Sequence, residues 1–231
     1  MSDSRTAILG RIRAGLAAGV PLAAAAAPSL PPPVVVDRAD RASLADRFAD
    51  EAEQAGAVVH RAGDLDAAVE AVLGVLATAR VSRLAAWDGA DLPVPQLLDA
   101  VGDRGIQVIE PTVPSDRGDL DRDWSALAEA DAGLTGAAGG LADTGTVVLR
   151  SGPGRARLVW LLPPLHIVVL PSPFLYPTLS AFVATRGDLV GRCSHVALVT
   201  GPSRTADIEQ MLTIGVHGPK QVHIVLVDDA V

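Results

Sequence analysis

Apolar positions recur along this chain at two different periods. Ile8, Leu9, Ile12 and Leu16 fall at helical spacing, so residues 3–18 read as an amphipathic helix. Residues 20–33 (VPLAAAAAPSLPPP) break that period and predict an extended Pro/Ala linker. Residues 1–33 are therefore expected to form an arm that docks on the body or on a partner. Residues 34–231 are expected to form one α/β domain.

From residue 40 the pattern alternates between the two periods. Ser43–Gln54 reads as helix and Ala57–His60 as strand. Asp64–Arg80 is a helix that Asp64 caps, with Leu65, Val69, Val72, Leu73 and Leu76 on one face. Arg83–Trp87 is a strand, Pro95–Arg104 a helix, Ile106–Ile109 a strand and Asp121–Glu129 a short helix. Three apolar stretches follow with little helix between them: Ala132–Thr135, Thr146–Arg150 and His166–Leu170. Thr178–Thr185 then reads as helix, His195–Thr200 as strand, Arg204–Ile214 as helix and Val222–Val227 as strand. Strands separated by helices imply crossover connections and a mostly parallel sheet with helices on both faces. The hairpin-like middle, from Thr144 to Leu170, would make that sheet mixed.

Composition narrows the chemistry. Apolar residues make up 49% of the 231 positions but aromatics only 3%, so the core must be built from Val, Leu, Ile and Ala. The net charge of −8, with no basic cluster, gives no footprint for nucleic acid. Lys220 is the only lysine, so a Schiff-base mechanism would have to use it. Cys193 is alone and can form neither an internal disulfide nor a cysteine-ligated iron–sulfur cluster. The longest apolar run, Leu158 to Leu170, is shorter than the ~20 residues a bilayer helix needs, and Pro163-Pro164 and His166 interrupt it. Gly15–Ala27 imitates a signal peptide, but Asp3 sits where a positive leader belongs, so a cytoplasmic protein is expected.

Two stretches draw attention as sites. Asp143-Thr144-Gly145-Thr146 is the tetrapeptide on which an aspartic protease places its carboxylate. Such an enzyme needs two carboxylates sharing a proton, and no second Asp-Thr-Gly exists here. What remains is a turn into a strand, with Gly145 at positive φ, or a turn that faces a ligand. The second stretch is Gly201-Pro202-Ser203-Arg204-Thr205-Ala206-Asp207 after a strand. Read as a helix start, it explains Ser203 or Thr205 as a cap and Asp207 as a favourable charge, but not Arg204, which opposes the dipole. Arg204, Ser203 and free N–H groups would together hold a carboxylate or phosphate. Among the histidines, His166 and His217 sit beside Pro or Gly at element ends and are candidate bases or anion ligands, whereas His195 and His223 read as ordinary strand residues. No spacing fits a zinc site.

Several motifs together are similar to one family. They are Ala7–Arg13 (AILGRIR), Leu134-Thr135-Gly136, Ala142–Thr146 (ADTGT), Leu161–Ile167 (LLPPLHI), Gly201–Glu209 (GPSRTADIE) and Gly215–Pro219 (GVHGP). This combination resembles the LUD-domain family of lactate utilization proteins. Many relatives carry Glu where Asp143 stands. The resemblance implies the fold shared by glucosamine-phosphate isomerases, ribose-phosphate isomerases and CoA-transferases. It also implies a role in oxidising L-lactate to pyruvate, with two other lactate utilization proteins as partners, one of them carrying iron–sulfur clusters.

The chain's own residues are consistent with a subunit role. Oxidising a 2-hydroxy acid needs a base and an electron acceptor; Asp143, His166 and His217 are candidate bases, and no acceptor motif is visible. The expected site binds a small carboxylate among Thr135, Thr144, Gly145, Thr146, Gly201, Ser203, Arg204, Thr205, Asp207, His217 and Gly218, with Asp143 or His166 as base and no metal. Two alternatives stay open. One is a stand-alone transferase or ligase acting on a CoA ester, a sugar phosphate or a folate. The other is a non-catalytic assembly subunit.

Overall fold

The computed structural model describes residues 2–18, 38–111, 125–206, 212–215 and 217–228. The chain divides into two units, Met1–Leu30 and Pro31–Val231. The first contributes helix α1 (Ser2–Ala18), whose Ile8, Ile12 and Leu16 are exposed. The expected linker lies outside the described residues, as does the first half of the helix expected at 121–129; a helical turn spans 125–128.

The second unit is built on a six-stranded sheet in the order β1-β12-β7-β4-β2-β3. These strands are β1 (Val58–Ala62), β2 (Arg83–Ala86), β3 (Gln107–Ile109), β4 (Ala132–Gly136), β7 (Leu165–Pro171) and β12 (Gln221–Val227). Every neighbouring pair in it is parallel. Strand β7 is central and buried along its whole length, which is why its sequence, LHIVVLP, is a nearly unbroken apolar run.

Helix α2 (Arg38–Gln54) and helix α3 (Leu65–Thr78) cover opposite faces of the β1 edge. The Arg61–Asp46 ion pair ties α2 to one face. His60, on the other face of β1, shares a hollow with Ala71, Gly74, Val75 and Thr78 of α3. As the sequence predicts, Asp64 caps α3 and accepts the Ala67 N–H at 2.7 Å. Helix α4 (Leu97–Asp103) lies beside α3 and β3.

The α/β expectation holds, but the mixed pairing falls in a separate sheet. Strands β5 (Gly139–Leu141), β6 (Thr146–Ser151), β8 (Leu175–Tyr176) and β9 (His195–Val199) form a second sheet in the order β8-β5-β6-β9. It packs on the α2 face of the main sheet, where Gly140 lies against Leu170, Leu175 and Phe48. On its other side, Phe182 of α5 (Leu179–Arg186) and Leu189 of α6 (Asp188–Arg192) cover Ala138, Leu141 and Val148. Strand β9 therefore pairs antiparallel with β6 and is not part of the parallel sheet.

Candidate functional site

At the described ends of the helix expected over Arg204–Ile214, strands form. Arg204–Ala206 (β10) and Leu212–Ile214 (β11) pair as antiparallel strands, with Arg204 opposite Ile214. Neighbouring chain satisfies the backbone that a helix would otherwise satisfy: Ser203 N–H donates to Pro219 O at 2.9 Å, and Gly215 N–H donates to Ser203 O at 2.9 Å. Asp207 lies outside the described residues. Thr205 sits in β10, and exposed His217 follows a strand, not a helix.

Without a helix start, Arg204 has a different reason to be cationic. Its guanidinium donates to the Ala55 carbonyl, just past the end of α2. A cation is favoured there by the helix dipole and by the unsatisfied carbonyls of the last turn. Arg204→Gln is therefore expected to cost about 0.5–1.5 kcal/mol of stability, the range for one such bond. Urea unfolding of the variant tests this.

The two sequence stretches do converge, but on packed protein. Gly145, at φ 59°, presses against the backbone of Glu51 and Ala52, and Gly201, at φ 69°, lies against the Ala55 carbonyl. Hydroxyls link them: Thr144 Oγ1 is 2.8 Å from Thr146 Oγ1, which is 2.7 Å from Thr200 Oγ1. Asp143 is half-buried beside the chain, its carboxylate accepting from Thr144 Oγ1 at 3.4 Å. Gly218 closes on the Ser203 side chain. The helix end occupies the space where a side chain at Gly145 or Gly201 would stand, so the convergence forms a junction of chain segments.

His166 is not at an open element end. It is the second residue of β7 and is fully buried, with its Nε2 2.9 Å from Thr135 Oγ1 and its Nδ1 without a partner. Burial pushes its pKa down to about 3, so it is neutral at ordinary pH. A 3-10 turn, Arg157–Trp160, crosses this face of the sheet, with the Val159 carbonyl directly over Gly133, the β4 partner of His166.

Of the hollows elsewhere among the described residues, two are lined by histidine. One, about 550 Å³, runs between α3 and the His60–His223 pair. His60 Nε2 is 3.0 Å from His223 Nδ1 and the rings stack. Burial lowers the pKa of both, and the charge of His60 lowers that of His223 further. The other, about 450 Å³, lies where the Gly152-Pro153-Gly154 loop meets the start of β9. Ser151, Arg155, Arg157, Ser194 and His195 line it. The two arginines of this loop give no signal in the sequence, because Arg-Ala-Arg is no motif until a fold places it. His195, read as an ordinary strand residue, stacks on Trp160 at 6.4 Å between ring centres.

The family model of the LUD domain matches residues 45–227. The chain belongs to the LUD domain family. This LUD domain is similar to lactate utilization protein C of Halalkalibacterium halodurans, at 40% identity over 107 residues. That stretch covers 44% of this chain and 46% of the relative. It is also similar to lactate utilization protein C of an Exiguobacterium species, at 39% over 104 residues, 43% of this chain and 45% of the relative. In both cases the matched stretch spans less than half of the relative's length. Among solved structures, a DUF162 family protein from Deinococcus radiodurans shares the fold, with a TM-score of 0.57 and 22% identity. That likeness covers 81% of this chain and 98% of the other.

Proposed function

We propose that this LUD-domain chain is a component of an L-lactate oxidation system, cytoplasmic, and that it does not carry the electrons itself. The supporting observation is the 40% identity to a lactate utilization protein C over 107 residues. Converting a 2-hydroxy acid to a 2-oxo acid removes two electrons and two protons. The chain has one cysteine, Cys193, which cannot ligate an iron–sulfur cluster alone. In this reading the electrons pass to a partner that carries the cluster, and a third lactate utilization protein completes the system. Among the described residues no helix is long and apolar enough to cross a membrane.

The test is affinity purification of the chain from its native host, followed by cluster spectroscopy and a lactate-oxidation assay on the co-purifying material. Co-purification of an iron–sulfur protein and lactate-dependent reduction of its clusters are expected. A chain that purifies alone and turns over a CoA ester, a sugar phosphate or a folate overturns the reading.

A further inference from the structure

Buried polar groups in folded proteins nearly always have hydrogen-bond partners. Among the described residues four buried side-chain atoms have none: Ser151 Oγ, Arg155 Nε, Trp160 Nε1 and His166 Nδ1. The first two gather at one place. Ser151 and Arg155 line the 450 Å³ hollow, and Trp160 stacks on His195, another of its lining residues. The Ser151 hydroxyl and Arg155 Nε each carry a hydrogen to donate. Ser151 is only 6% exposed, so solvent does not readily replace the missing acceptor. Two buried donors lacking acceptors in the wall of one hollow call for a ligand that supplies acceptors.

Charge narrows the class. The Arg155 guanidinium is paired through one terminal nitrogen with the Asp91 carboxylate, and both groups are largely buried. That pair is neutral, fixes the guanidinium and leaves Nε free. Arg157 is exposed and makes no ion pair among the described residues. The wall thus carries one uncompensated positive charge, which suits a monoanion better than a phosphate dianion. Pro153 and Ala156 supply an apolar side, and the volume falls in the range of small-molecule sites. The position also fits, because Asp88 N–H, just past β2, donates to Gly154 O at 2.8 Å. That places the loop at the carboxyl rim of the parallel sheet, where open α/β folds bind ligands.

We propose that this hollow holds a small monocarboxylate, with Arg157 as its charge partner and Arg155 Nε–H and the Ser151 hydroxyl as its buried donors. The site stands on its own geometry; that its acid is L-lactate or pyruvate rests on the function proposed above.

Calorimetric titration of the purified full-length chain with L-lactate, pyruvate, acetate and inorganic phosphate tests it, with Trp fluorescence as a second readout. L-lactate or pyruvate is expected to bind. Arg157→Gln should weaken that binding at least tenfold and Ser151→Ala severalfold, with unchanged melting temperatures. Arg204→Gln should leave the affinity intact, which separates this hollow from the packed junction at the end of α2. If no carboxylate binds, if phosphate binds while the carboxylates do not, or if binding survives Arg157→Gln, the site is overturned. Acetate binding as tightly as L-lactate, and still lost in Arg157→Gln, supports the site and counts against the lactate reading alone.

Discussion

Gly133→Ala will leave little folded protein, with an expected loss of at least ~3 kcal/mol from a domain whose whole stability is of order 5–15 kcal/mol. The reason is local and steric. Gly133 lies on β4 inside the parallel sheet, and a methyl group there would overlap the Val159 carbonyl oxygen. That oxygen belongs to the backbone of the 3-10 turn, so no rotamer change relieves the clash. Either the strand leaves its register with His166 or the turn lifts, exposing Val159 and Trp160, both buried now. Overpacking a well-filled core costs about 1–3 kcal/mol even where side chains can adjust. Gly74→Ala provides the contrast: it sits on exposed helix surface with nothing near its would-be Cβ, and should stabilise by roughly 0.5–1 kcal/mol. Urea unfolding of the two variants side by side checks both signs.

The second large effect concerns acid. His166 has a pKa of about 3 in the folded chain, against an ordinary value of 6.5 once unfolded. Between those values the unfolded state binds a proton that the native state refuses, so stability must fall as pH drops through that window. The contribution is absent above about pH 7, reaches about 2 kcal/mol at pH 5 and roughly 4 kcal/mol at pH 3. His60 and His223, also shifted down, act in the same direction, so the wild-type slope is a sum. His166→Gln keeps a group that can bond to Thr135 and removes one titrating site. Its unfolding free energy should lose about 2 kcal/mol less than wild type between pH 7 and pH 5. Equal losses in the two proteins would show that His166 titrates normally and is not sealed from water.

His166 and the strand that carries it show where sequence reading stops and where it succeeds. Strand β7 was legible because a strand buried on both faces is written as an apolar run, and α3 because Asp64 and a regular apolar stripe announce it. The burial of His166 was not legible: Pro163-Pro164 looked like an open end, and what seals it is a turn crossing from residues 157–160. Strand β9 was found, but its sheet was not, because its pairing with β6 is decided by contacts distant in sequence. At 204–214 the helical spacing of apolar residues competed with tertiary pairing, and the described ends form strands. The segment reads as helix by period, but its described ends pair with each other, and the flanking residues Ser203, Gly215 and Pro219 are bonded among themselves. The anion-seeking donors escaped notice for a related reason. A serine and two arginines become a group only when β6, its loop and β9 are brought together.

The strand order β1-β12-β7 has a consequence for biogenesis. A ribosome releases β1 and β7 well before β12, yet these earlier strands flank the later one. Until residues 221–227 emerge, the edges of β1 and β7 that pair with β12 in the finished sheet lack their ladder partners. Insertion of β12 is then a late and committing step of folding. Nascent chains stalled before it are the species a chaperone would be expected to shield.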